Sequence, residues 1–150
     1  MANIFNQDFC NQAIARINKL SPDSQPQWGK MNVAQMLAHV NVAYELVYTD
    51  KHPKPNPIAK FFIKLFAKNT VVGDKPYAKN TRTAPMFLIT DEREFEKEKV
   101  RLIDHIQKTQ QLGEAHFDGK ESHAFGNLSI KEWHNLFYKH LDHHLGQFGA

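Results

Sequence analysis

The sequence predicts an all-α protein: a four-helix bundle with a short extra helix and a long loop between helices 2 and 3, in one domain covering residues 1–150. Two observations carry this. Four long stretches repeat apolar side chains every three to four residues, and each is bounded by residues that start or stop helices. The prolines fall in the stretches between them.

Length and composition bound the rest. A chain of 150 residues suits one domain, and 41% hydrophobic with 23% charged residues is ordinary globular composition. A net charge of +3 with the lysines in no single dense run is a weak argument for nucleic acid, and no nucleic-acid partner is expected. The one cysteine, Cys10, fits a reducing, cytoplasmic setting and reads as a small buried hydrophobe. The N-terminal MANIFNQDF is not a secretory signal, and no apolar run approaches the ~20 residues that span a bilayer, so a soluble protein is expected.

The first helix is expected over Phe5–Leu20, with Phe5, Phe9, Ala13, Ile17 and Leu20 on one stripe and Ser21-Pro22-Asp23 ending it. Asn32 as N-cap, Gln35 as its capping-box partner and Met31 with Met36 as a hydrophobic staple mark the start of the second, which runs to about Tyr48. Its buried side is Met36, Val40, Ala43, Tyr44 and Val47, with Gln35, Asn41 and Glu45 off it. After the prolines of KHPKPNP, Asn56 and Pro57 open a short amphipathic segment. Its apolar side, Ile58, Phe61, Phe62, Leu65 and Phe66, is read as packing on the bundle like a lid, in preference to lying on a membrane. Residues 69–90 read as a long loop, of the kind that covers a site. Asp91 and Glu94 are expected to cap the third long helix, with Phe95, Leu102, Ile103 and Ile106 buried, EKEK in water and Gly113 as C-cap. A second irregular stretch, 115–128, leads to Ser129 and Glu132, the capping box of the last helix.

That last helix, KEWHNLFYKHLDHHLGQF, holds the chemistry. His140 and His144 are four residues apart, ~40° around a helix, so two imidazoles can share one ion. Both point into the arc marked by Trp133, Phe137, Leu141 and Phe148, and His39 points into the apolar arc of the second helix. Buried imidazoles without partners cost a few kcal/mol each. Hydrogen bonds, water or a metal must therefore satisfy them. Three neutral imidazoles with one open position match a catalytic zinc-type site, and nickel or another divalent ion suits the same ligands. Leu141 after His140 excludes the metalloprotease motif, which needs Glu there.

The stretches PQWGKMNVAQMLAHV and YKHLDHHLGQF, continued by TAPMFLITDEREFEKEK and SHAFGNLSIKEWHNLFYKH, resemble the DinB-like superfamily in its uncharacterised-domain branch. The last motif is similar to the superfamily's His-x-x-His-His-Arg-Gly-Gln pattern, with Leu145 where Arg is usual. The resemblance implies a four-helix bundle, often a homodimer, binding a divalent metal through His39, His140 and His144. It further implies a small-molecule substrate and a low-molecular-weight thiol such as bacillithiol or mycothiol, in a transferase or isomerase, with metal-assisted hydrolysis as a related chemistry. Two further histidines are candidate acids or bases: His143, at the edge of the inward face, and His123, in the loop before the last helix. Gln147 lies near the inward arc, where it can orient a ligand histidine or make a polar core contact, whereas Trp28, Tyr44 and Trp133 read as packing residues. The competing reading is a non-catalytic structural or interaction bundle whose histidines are hydrogen-bonded core groups.

Overall fold

The computed structural model describes residues 3–81 and 83–150. Five helices make the architecture, with no β-strand among the described residues: α1 (Gln7–Ile17), α2 (Val33–Tyr48), α3 (Pro57–Val72), α4 (Phe95–Phe117) and α5. The last continues from Ile130–His134 through a π-helical turn at Asn135–Lys139 into His140–Gln147. The protein is all-α, as the periodicity predicts.

The helix starts follow the sequence signals. Asn32 Oδ1 accepts the Gln35 N–H and Gln35 Oε1 accepts the Asn32 N–H, a complete capping box, and Ser129 with Glu132 forms the other. Asn56 accepts from Ala59 N–H ahead of α3, where Pro57 has no N–H to leave unpaired. The start of α4 departs from expectation. Asp91 is bonded to Arg93, and the helix begins at Phe95 behind Glu94, which makes no side-chain cap. Gly113, at φ 78°, kinks α4, and one more helical turn follows to Phe117 where an end was expected.

The core forms where α2 lies along α4, with α1 on another side of α4 and α5 closing against both α2 and α4. Tyr44 of α2 stacks on Phe137 of α5 at 4.7 Å, and Phe117 meets Trp133 edge-on at 5.2 Å. Trp133, Phe137 and Leu141 are buried, as is Leu145, whose apolar side chain completes the same packing.

Two expectations about facing fail. Asn41 and Glu45 are buried, not off the core side of α2, and so is Glu98 of the supposedly wet EKEK run. The reason is a polar layer between α2 and α4. Arg101 donates to both Glu45 and Glu98, His52 donates to Glu45 Oε1 at 2.9 Å, and Asn41 bridges the Glu98 carbonyl and His105. A period-based reading places polar residues outside, whereas here they are buried together and neutralise one another.

The segment after Pro57 also differs. It is a helix of 16 residues, not a short one, and takes Asn69–Val72 from the expected loop. Nor does its apolar side cover the core: Ile58, Phe61, Phe62, Leu65 and Phe66 are between 51% and 74% exposed. The helix is tied down by its polar side, through Lys60–Glu121 (2.7 Å) and Lys68–Glu132 (3.4 Å). At its C-terminal end Lys139 Nζ donates to the carbonyls of Thr70, Gly73 and Lys75 and Asn135 donates to Val72 O, so cations and amides meet the negative helix end.

Replacing Arg101 by Met removes the cation that two buried carboxylates share, leaving Glu45 with His52 and Lys51 and Glu98 with the more distant Arg93 at 4.0 Å. R101M is expected to lose about 3–5 kcal/mol of unfolding free energy, read by urea denaturation; a loss below about 1 kcal/mol would show that the layer is not held by charge pairing.

The same layer sets a pH dependence. Burial and the neighbouring Arg101 push His105 down to about 4, while an unfolded imidazole titrates near ~6.5. Between those values the unfolded chain binds more protons, so this contribution to stability is complete above about pH 6.5 and is lost as pH falls toward about 4. His105→Gln, which can still donate to Asn41, is expected to flatten the fall of Tm across that window; an unchanged slope would remove His105 from the account.

Candidate metal centre

His39 sits in the middle of α2, fixed in phase by the Asn32 capping box, and His140 and His144 sit one turn apart in the final segment of α5. The three ring centroids are 4.5–4.8 Å apart, and one ligand atom from each lies within 4.8 Å of the others. His39 and His144 are buried and His140 partly so. The three histidines singled out from the sequence are thus brought together.

The outward nitrogen of two rings is committed. His39 Nδ1–H donates to the Phe87 carbonyl at 2.7 Å, which leaves Nε2 bare. His144 Nδ1–H donates to Gln147 Oε1 at 2.8 Å, and Gln147 Nε2–H donates to the Trp28 carbonyl, also at 2.8 Å. Such partners select the tautomer and aim the remaining lone pair, an arrangement typical of metal-ligating histidines. His140 Nε2 lies 2.9 Å from His39 Nε2. With the His39 proton held at Nδ1, that contact is an N–H of His140 donated to a bare nitrogen.

Electrostatics favours neutral rings. Burial lowers His39, even against the Phe87 carbonyl; it lowers His140 well below the usual range, aided by both neighbouring rings, and takes His144 down to about 3. Each ring is therefore uncharged at neutral pH; His39 and His144 carry bare Nε2 atoms, and His140 would do so once its proton moves from Nε2 to Nδ1.

The expectation that Gln147 orients a histidine holds, and it explains the Trp28-Gly29 segment. Gly29 has φ +83°, and a Cβ there would lie 2.6 Å from Gln147 Nε2. Glycine both permits that backbone and leaves room for the amide. Trp28 does more than pack: its carbonyl anchors Gln147, and its ring meets His143 edge-on at 5.7 Å.

Described parts of the loop between α3 and α4 cover the trio. Phe87, in a 3₁₀ turn (Pro85–Phe87), approaches His39 and His140 at 5.4 and 5.6 Å, and Tyr77 approaches His140 at 6.3 Å. The loop is pinned by Gln35 Nε2–H to Asp91 O and, at its other end, by Lys139. Sequence reading anticipated a cover but not the Phe87 carbonyl, since no side-chain pattern announces a backbone acceptor.

The two candidate acid–base histidines separate. His143 lies beside the trio, 5.0 Å from His144 and 5.6 Å from Tyr77, half-buried and lowered by burial. With Tyr77, Lys139 and Tyr138 it lines a cleft of about 290 Å³. His123 instead donates to the Pro53 carbonyl at 3.1 Å, with His52, Lys54 and Lys60 as neighbours. It belongs to the loop contact with the start of α3, away from the grouping at His39.

The hydrogen bonds fix an observable. Long-range ¹⁵N–¹H spectra of metal-free protein at neutral pH are expected to show His39 and His144 uncharged and protonated at Nδ1. Protonation at Nε2 of either ring would contradict the Phe87 and Gln147 contacts.

Neither a curated protein nor a solved structure matches the chain significantly. A family profile does match, over residues 5–150, and its description is "Protein of unknown function (DUF1569)". With nearly the whole length covered, helices α1 to α5 and the histidine trio included, the chain is a member of that family of unknown function.

Proposed function

We propose that this is a divalent-metal protein of DinB-like type, with α1, α2, α4 and α5 as its four-helix bundle and His39, His140 and His144 as ligands. The observation that carries the reading is three neutral, inward imidazoles with their ligand atoms within 4.8 Å, two of them oriented by hydrogen bonds at the far nitrogen. The donor set fits the ion: all-nitrogen ligation suits zinc or nickel better than calcium or magnesium. A metal held this way with an open position supplies Lewis acidity and lowers the pKa of a bound water or thiol.

The rest of the chemistry falls to the chain. His143, neutral and half-buried at the cleft, accepts a proton at a bare ring nitrogen as general base. Tyr77 and Phe87 exclude water from the His140 side, which strengthens electrostatic interactions within. A low-molecular-weight thiol is the favoured substrate, in transfer to an electrophilic small molecule, on the strength of the DinB-like resemblance; hydrolysis would use the same groups with water in place of thiol. His123 has no part in this scheme.

Metal analysis of protein purified without an affinity tag is the direct test. About one equivalent of bound ion is expected after incubation with Zn²⁺, Ni²⁺ or Mn²⁺, with a stabilisation near 2.7 kcal/mol when free ion is a hundredfold above Kd. His39→Ala, His140→Ala and His144→Ala should each abolish that stabilisation. Gln147→Leu should weaken binding by about 10–100-fold, and His143→Ala should leave the stoichiometry intact. Less than about a tenth of an equivalent with every ion, or melting unaffected by ions in wild type, would leave the non-catalytic bundle as the better reading.

A further inference from the structure

We propose that the outward face of α3 docks on the surface of an anionic lipid bilayer. The proposal is independent of the metal reading.

The face consists of Ile58, Phe61, Phe62, Leu65 and Phe66, each more than half exposed. It is continuous: Phe61 meets Phe62 at 5.5 Å, and Phe62 stacks over Phe66 at 6.2 Å. Residues 58 to 66 extend ~12 Å along the helix. Isolated surface apolar residues need no explanation, but five contiguous ones, three of them Phe, mark an interaction site. The outward direction is also enforced. Lys60, opposite the apolar arc, and Lys68, on its flank, hold the helix to Glu121 and Glu132, and Val72 is the one buried residue of the helix, so rotating the apolar side inward would break both ion pairs.

Charge selects the occupant. Residues 51–79 contain seven lysines and one carboxylate, Asp74, a net charge of +6, while the rest of the chain is −3. The whole positive excess therefore lies on the segment that carries the apolar face. Lys54, Lys64 and Lys75 make no ion pair among the described residues, and Lys64 and Lys68 border the apolar arc on the helical wheel. A second copy placed face to face would bring two such segments together, like charge against like. An anionic membrane offers apolar depth and opposite charge at once, the combination an interfacial amphipathic helix needs. Docking would be peripheral, because no helix of the described residues is long and apolar enough to cross a bilayer.

Flotation of the full chain with two kinds of vesicle tests this: phosphatidylcholine alone, and phosphatidylcholine with roughly a third phosphatidylserine. Binding to the anionic vesicles is expected to be at least about tenfold tighter, and to fall as ionic strength rises from about 0.1 M to about 1 M. Phe61→Ser with Phe66→Ser, at exposed positions, should reduce it about tenfold or more without lowering Tm, and Lys54→Glu with Lys64→Glu should do the same through charge. Absence of binding to the anionic vesicles, or equal binding to both kinds, overturns the proposal. So does a wild-type dimer by light scattering that the two Phe substitutions convert to monomer, which would assign the face to a second copy.

Discussion

The structure turns on keeping three imidazoles uncharged and close together inside a helical core. Charging one of them would place a cation among apolar side chains with two more rings at 4.5–4.8 Å, so burial and mutual proximity act in the same direction. A neutral imidazole still has two nitrogens to satisfy. Two of the three rings hand their N–H to an acceptor outside the cluster, Phe87 O or Gln147 Oε1, and so present lone pairs inward. Around that constraint much else falls into place: the cover must pass near His39 to lend a carbonyl, the 28–29 segment must pass near Gln147 to anchor it, and Gly29 must lack a Cβ.

Helix α2 serves two polar sites at once. Its His39 side faces α5, while Asn41 and Glu45 face α4 and the Arg101 layer. A helix buried on both sides has little room for the usual division into wet and dry faces. Its polar residues are therefore paired and interior, and removing one partner strands the other. That makes α2 the least tolerant element in the chain, and it gives His39 a rigid support.

Much of this was legible in the residues, for physical reasons. Capping boxes are local, so Asn32/Gln35 and Ser129/Glu132 set helix starts without tertiary information. The histidine trio was legible because a polar residue in an apolar arc is a contradiction that the fold must resolve. The burial of Glu45 and Glu98 was not legible, because a carboxylate reads as exposed until its Arg is known to stand across from it. The exposed face of α3 was hidden by the converse: apolar periodicity finds a face but not whether anything covers it. The π-helical turn left no signature either, since NLFYK is unremarkable helical sequence. His123 was placed by loop proximity in sequence, which says nothing about direction, and it binds the Pro53 carbonyl instead.

The π-helical turn has a structural use. π-turns occur mostly as single turns within α-helices and frequently at functional sites, and this one ends at Lys139, the residue before His140. Its extra residue lets Asn135 and Lys139 face the C-terminal carbonyls of α3 while His140 and His144, immediately after, face His39. One stretch of backbone thereby holds both the tail of α3 and two of the three imidazoles. Because α3 buries a single side chain, Val72, its attachment to the core is mostly polar, and it is the helix that separates from the rest at least hydrophobic cost. The carbonyls gripped by Lys139 are the ones such a separation would pull on, and the Gly73 end of the cover over His140 goes with them. The sparsely buried helix and the histidine trio are therefore linked through Lys139 and Asn135 of one stretch of α5, with the cover between them.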